Sequence, residues 1–267
     1  MANGGIRMIA FLTDWGSNSY YVGVTKVVMR EINRMVEIID ICHDIRPYSI
    51  RHGAYVLQRA IKDLPADAVF LAVVDPGVGT SRKPIMMVLK DGRRLVGPDN
   101  GLFTLAAEEY GIHEIRELEN REYHRGNSRS FHGRDIFAPV AAHVDAGVEP
   151  AKLGSRLMSF EYLKYKKPAR EGNVLSGEVA FYDNFGNLET NVPEALANDF
   201  EEGEILEIGK GRKPFKATFG NTYYDVNPGN LLAHFDSSGF LEITVNKGSA
   251  RELLAIEEGE PITIVKT

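Results

Sequence analysis

Cysteine is almost absent. Cys42 stands alone among 267 residues, so the chain can form neither an intrachain disulfide nor a cysteine cluster for zinc. Long apolar runs are missing as well. The longest, Ala68–Val74 (AVFLAVV), falls far short of the roughly 20 residues that cross a bilayer as a helix. The opening residues, MANGGIRMIAFLTD, hold only a brief apolar stretch before a charge, which does not read as a secretory leader. There is no basic excess either: 31 Lys and Arg stand against 37 Asp and Glu, a net charge of −6. That is the wrong balance for a chain that grips a phosphate backbone. None of the 7 histidines forms a His-x-x-x-His pair, which argues against a zinc hydrolase. No Gly-Lys-Ser/Thr is present and no G-x-G-x-x-G opens a helix, which speaks against a nucleoside triphosphate loop. What is left is an ordinary globule, 43% hydrophobic and 25% charged, large enough to bury a core without staples. The expectation is a protein of the reducing cytoplasm with no nucleic-acid partner and no membrane.

The two halves differ in texture. Over residues 1–165, short apolar runs alternate with helical patterns. Ile6–Leu12 reads as a buried strand, Val36–Ile41 and Ala68–Val74 as a second and third strand, and Tyr21–Asn33 and Ile50–Ile61 as helices. Ile85–Leu89 and Arg94–Val96 form a hairpin across Asp91-Gly92. This rhythm predicts an α/β domain whose central sheet is mostly parallel, with helices on both faces. Over residues 172–267, β-type runs at Val174–Phe181, Glu204–Ile208, Phe215–Phe219, Leu241–Val245 and Pro261–Val265 are separated by Gly, Asn and Asp. Helical spacing returns only at Pro193–Phe200 and Ala250–Ile256. A smaller, barrel-like β domain follows from that spacing, and the polar Lys164–Gly172 reads as the linker.

Chemistry in an open parallel sheet gathers beyond the carboxyl ends of its strands, and three polar clusters fall there. Thr13-Asp14-Trp15-Gly16 follows the first strand; Asp14 either accepts from a ribose diol or caps the next helix. Val74-Asp75-Pro76-Gly77-Val78-Gly79-Thr80-Ser81-Arg82 puts an acid and a base on one Gly-rich turn that can fold back on itself. It reads equally as a functional pair or as a surface ion pair worth little. In Ser130-Phe131-His132-Gly133-Arg134-Asp135, the histidine stands just ahead of a helical run, where it can face the crevice. A fourth group, Tyr182–Asn187 with Ser237–Glu242, is by itself turn chemistry between strands.

Taken in order, FLTDWG, VVDPGVGTSR, GPDNG, FHGRDIFAP, GEVAFYDNFGNLETN and SSGFLEITVNKGSA resemble the S-adenosyl-L-methionine (SAM) hydroxide adenosyltransferase family, relatives of the fluorinase and chlorinase, over nearly the whole chain. The resemblance implies a larger N-terminal α/β domain, a smaller C-terminal β domain, and a homotrimer with ligand held between neighbouring subunits. It puts the water-activating Asp, Arg and His on Asp75, Arg82 and His132, and the ribose-binding aspartate on Asp14. Adenine and methionine contacts fall on Asp183, Phe185, Asn187, Ser237, Glu242 and Val245. SAM is then the substrate, adenosine and L-methionine are the products, and no cofactor or metal is required. The halogenase branch tends to carry an inserted loop, where Val88–Gly97 is here a bare hairpin, and it lacks the full Asp, Arg, His set.

Three rival readings stand beside this one. One is a nucleoside or nucleotide hydrolase with a divalent metal between Asp14 and Asp75. Another is a non-catalytic SAM or adenosine sensor, and the third a halogenase.

Overall fold

The computed structural model describes residues 8–126, 128–209 and 214–267. They fall into two compact units with the boundary between Leu163 and Lys164.

In the first unit the chain runs β1 (Met8–Thr13), α1 (Tyr20–Ile32), β2 (Glu37–Cys42), α2 (Ile50–Ile61), β3 (Val69–Val73), β4 (Pro84–Leu89) and β5 (Arg94–Pro98). Then come α3 (Thr104–Tyr110), β6 (Ile112–Glu117), α4 (Ala138–Asp145) and β7 (Arg156–Leu157). The sheet order is β2-β1-β3-β5-β4-β6-β7. Pairing is parallel from β2 through β5 and antiparallel from β5 through β7. The parallel half is the one the alternating pattern foretold; the Asp91-Gly92 hairpin turns the rest around.

Every residue of β1 and β3 is buried, because helices cover both faces of the sheet. Ile9, Phe11, Val69, Leu71 and Val73 share one core with Val22 and Met29 of α1 and Val140, Ala141 and Val144 of α4. Their neighbours in sequence, Ala10, Leu12, Phe70 and Ala72, point to the other face and are as deeply buried. The Ser19 side chain caps α1 by accepting from the Tyr21 N–H, and the Ser49 side chain caps α2 by accepting from the His52 N–H.

The second unit is a closed barrel. Its strands are β9 (Val174–Tyr182), β10 (Leu188–Pro193), β11 (Ile205–Gly209), β12 (Phe215–Phe219), β13 (Leu231–Phe235), β14 (Phe240–Val245) and β15 (Pro261–Lys266). The order β10-β14-β13-β12-β11-β15-β9 returns to β10, so no edge is left open among these seven strands. The β12–β13 pair is parallel and the others antiparallel. A short strand β8 (Ala169–Glu171) extends β9 on the outside, and α5 (Ala250–Leu254) follows β14. Leu175, Val179, Leu188, Leu206, Ile243 and Ile264 fill the interior.

Two expectations change here. Pro193–Phe200 is not a helix but a single 3₁₀ turn at Glu194–Leu196: the Leu196 carbonyl, which a continuing helix would bond to the Phe200 N–H, accepts from Arg170 Nη1 at 3.0 Å, and the Phe200 N–H goes to the Ala197 carbonyl. The polar segment Lys164–Gly172 is not all linker. Its end pairs with β9, Ala169 opposite Ser176, and an outer strand exposed to water carries no apolar signature.

Candidate active site

Three loops meet above the carboxyl ends of β1 and β3. The turn after β3 is closed locally: the Thr80 amide and hydroxyl both donate to the Gly77 carbonyl, at 3.1 and 2.7 Å. Gly79 stands at φ +81°, and a Cβ there would lie 2.6 Å from the Arg129 carbonyl oxygen. Only glycine serves at this position. The fold-back brings Arg82 onto Asp75. Its Nε donates to both carboxylate oxygens at 2.9 and 3.0 Å, and its Nη2 donates to Oδ2. Both side chains are more than nine-tenths buried, with 8% and 6% of their surface exposed. The surface ion-pair reading therefore fails. Removing either partner would strand a buried charge, a loss of about 3–5 kcal/mol.

The same Nη2 donates to His132 Nδ1 at 2.8 Å. A guanidinium has no acceptor, so Nδ1 receives this bond and the proton of the neutral ring sits on Nε2. Burial, and next the adjacent Arg82 charge, hold the His132 pKa below its usual value, against the weaker pull of Asp75 and Asp135. His132 precedes a π-helical turn, Gly133–Phe137, which runs directly into α4. The Arg82 guanidinium also lies over the Phe137 ring, 5.0 Å from its centroid.

Asp14 does not cap α1, since Ser19 holds that place. Its Oδ2 instead accepts the Tyr48 N–H at 2.9 Å. Burial raises its pKa, and the Asp75 charge acts in the same direction. Asp14, Asp75 and His132 all line one cleft of 490 Å³. The sequence reading passed over Tyr48, Tyr21 and Trp15 as parts of the same wall. Trp15 was visible in the FLTDWG cluster, and Tyr48 carries a positive φ of 68°, which sequence alone does not announce. Among the described residues no group of three His, Cys, Asp or Glu side chains is placed to hold a metal ion, so Asp14 and Asp75 lack a third ligand.

In the second unit, Asp183 organises the β9–β10 turn. Its Oδ1 accepts the Phe185 and Asn187 amides, both at 2.9 Å, and its Oδ2 accepts Asn187 Nδ2 at 2.9 Å. Asn187 Nδ2 also reaches the Tyr223 hydroxyl at 3.3 Å. The Phe185 ring projects from this turn, 79% exposed, a flat apolar face of the kind that stacks on a base. Glu242 is buried opposite His234, its Oε2 3.3 Å from Nε2, and the His234 ring packs edge-on to Tyr223 at 5.8 Å. Tyr223 and His234 thus connect Asp183, Asn187 and Glu242, and no motif marks either of them in the sequence. Ser237 stands exposed in the β13–β14 turn, outside this bonded group. Val245 is buried with its side chain in the barrel core, so a ligand contact at this position falls to its backbone.

Comparison with known proteins agrees with the arrangement. Family models for the SAM hydroxide adenosyltransferase N-terminal and C-terminal domains match residues 9–154 and 177–263. A Thermus thermophilus protein named (R)-S-adenosyl-L-methionine hydrolase is 38% identical, covering 97% of this chain and 100% of the relative. A Salinispora tropica protein of the same name is 38% identical over 96% and 97%. A crystal structure of a Thermotoga maritima protein superposes with a TM-score of 0.92 at 50% identity, covering 97% of this chain and 100% of that one. Proteins named fluorinase match at lower identity, 25% for that of Actinopolyspora mzabensis. Both domain models, in order, and full-length relatives on the hydrolase side place the chain in the SAM hydroxide adenosyltransferase family.

Proposed function

We propose that the chain hydrolyses SAM by in-line attack of a water on the ribose 5′ carbon, giving adenosine and L-methionine. The observation that carries this is the single arginine tying Asp75 and His132 together at the wall of a cleft that also holds Asp14. The leaving group is a sulfonium and departs as a neutral thioether, so no general acid is needed. The nucleophile is the difficulty: water must be held about 3–3.5 Å from the carbon, in line with the breaking bond. His132 Nε2–H donates to the water oxygen, and Asp75 accepts the proton as the C–O bond forms. The C5′–S electron pair goes to sulfur, and the proton released by Asp75 is the one net proton of the reaction. Arg82 holds Asp75 and His132 together, and burial and the Arg82 charge favour the neutral His132 ring.

In this reading Asp14 binds the ribose hydroxyls, while Asp183, Phe185, Asn187, Ser237, Glu242 and Val245 serve adenine and methionine. The protein works in the cytoplasm, where its free Cys42 stays reduced, without metal or cofactor. It assembles as a homotrimer whose sites are shared between one subunit's first unit and its neighbour's second.

Mixing tests the shared site. Chains carrying Asp75→Ala and chains carrying Asn187→Ala are each inactive, and co-refolded hybrids recover turnover because some sites draw both intact halves. A fully active monomer in the analytical ultracentrifuge would contradict it.

The halogenase reading is the alternative with an observation to weigh. The β4–β5 connection is only the short turn Lys90–Arg93, without the insertion common in that branch, and Asp75 places a negative charge where a halide would sit. Both features favour water.

A further inference from the structure

Part of the cleft wall is not used by the water chemistry. Trp15, Tyr21 and Phe131 line it together. Their rings meet edge to face, with centroids 5.4 Å apart for Trp15 and Phe131, 4.9 Å for Tyr21 and Phe131, and 6.4 Å for Trp15 and Tyr21. The indole is pinned beside the nucleophile's position: a Cβ on Gly133, next to His132, would lie 2.5 Å from the Trp15 ring. Trp15 rests one edge on core Phe11, ring centroids 5.8 Å apart, but the cluster is not all core filling. Tyr21 is 42% exposed, and Trp15 and Phe131 are half-buried, so aromatic surface faces the cleft. The three rings are not equivalent. Phe131 already carries a cation, the Arg134 guanidinium at 4.9 Å from its centroid. Among the described residues no Lys or Arg side chain lies over the Trp15 or Tyr21 ring.

We propose that Trp15 and Tyr21 recognise the sulfonium of the substrate through cation–π contact, and so make the site selective for the charged sulfonium over a neutral thioether. The inference rests on SAM being the substrate. An in-line attack places the sulfur on the far side of the 5′ carbon from the water, within one side chain's reach of groups packed against the His132–Gly133 turn. A ring face attracts a cation most strongly where water is excluded. The reaction itself destroys that cation. A wall of this kind therefore holds substrate more tightly than the thioether product, which is released once the charge is gone. Because the charge is already fading in the transition state, the wall stabilises bound substrate more than the transition state: it contributes to substrate affinity and does not raise kcat.

The test uses two stable ligands on the full-length protein. Sinefungin carries an ammonium in place of the sulfonium, and S-adenosyl-L-homocysteine is the neutral thioether. Affinities are read by isothermal titration calorimetry and by quenching of Trp15, the 1 tryptophan of the chain. The wild type should prefer sinefungin. Trp15→Leu or Tyr21→Leu should each cut that preference about tenfold, chiefly by weakening sinefungin, while Trp15→Phe keeps it within about threefold. On SAM the Leu variants should raise KM without lowering kcat. Asp14 and Asp75 also attract a cation but are unchanged in these variants, so the change in the ratio belongs to the rings. Equal weakening of both ligands, or a ratio unmoved by either Leu variant, overturns the proposal. Should Trp15→Leu fail to fold, the exposed Tyr21→Leu decides alone. A wild type that binds neither ligand overturns the substrate reading along with this one.

Discussion

Asp75→Asn should lower kcat by at least about 10²-fold, the lower range for losing a positioned proton acceptor, with little change in SAM affinity. The amide is the same size as the carboxylate and still offers one oxygen to Arg82. What it lacks is the charge that draws a proton from water as the new bond forms. Stability must be separated from chemistry, because the substitution also leaves the Arg82 guanidinium, 8% exposed, without its counter-charge. The loss of up to about 3–5 kcal/mol expected for a broken buried pair would lower Tm, so turnover is compared well below the melting transition of the variant. The acid limb of the wild-type profile gives a second check. Protonating His132 puts a hydrogen on Nδ1 where Arg82 already donates, and the group comes apart. Burial and the Arg82 charge depress the His132 pKa, so kcat should hold as pH falls through the ordinary histidine range near 6.5 and decline only below it. Near-normal turnover by Asp75→Asn would mean that another group accepts the proton.

High fluoride or chloride should leave adenosine the product, with almost no 5′-halo-5′-deoxyadenosine. A halide bound in a cleft must shed its hydration and find donors; here it would meet a carboxylate. At an effective dielectric near 20, two like charges about 4 Å apart repel by about 4 kcal/mol, roughly a thousandfold in occupancy. Arg82 offsets part of this, but its Nε and Nη2 are spent on Asp75 and His132. Neutral water pays no such penalty. A halogenated nucleoside as the main product would move the chain to the other branch of its relatives.

The legible parts of this molecule were those encoded locally. β1 and β3 are continuous apolar runs buried on both faces. The Asp75–Arg82 turn was legible because its two charged residues are 7 apart on one glycine-rich loop. Its joining to His132, 50 residues away from Arg82, is set by how α4 packs on the sheet, and only the family pattern suggested it. Tyr48 reaches Asp14 across 34 residues, through a left-handed backbone that no side chain advertises. In the barrel, β10 (LETNVP) and β13 (LLAHF) escaped notice. The first is half polar, and the second follows the turn residues Asn227-Pro228-Gly229-Asn230 and carries His234, so its apolar run is only Leu231–Ala233. Tyr223 and His234 became site neighbours only when the barrel closed.

Isotopic labelling tests the central claim most directly. Metal-depleted protein is incubated with SAM in ¹⁸O-water, and the nucleoside product is isolated and analysed by mass spectrometry. Attack by water on the 5′ carbon predicts adenosine with one ¹⁸O at the 5′ hydroxyl, released together with L-methionine and blocked by Asp75→Asn. Methylthioadenosine and homoserine lactone as the sole products, or adenosine without the label, would contradict it.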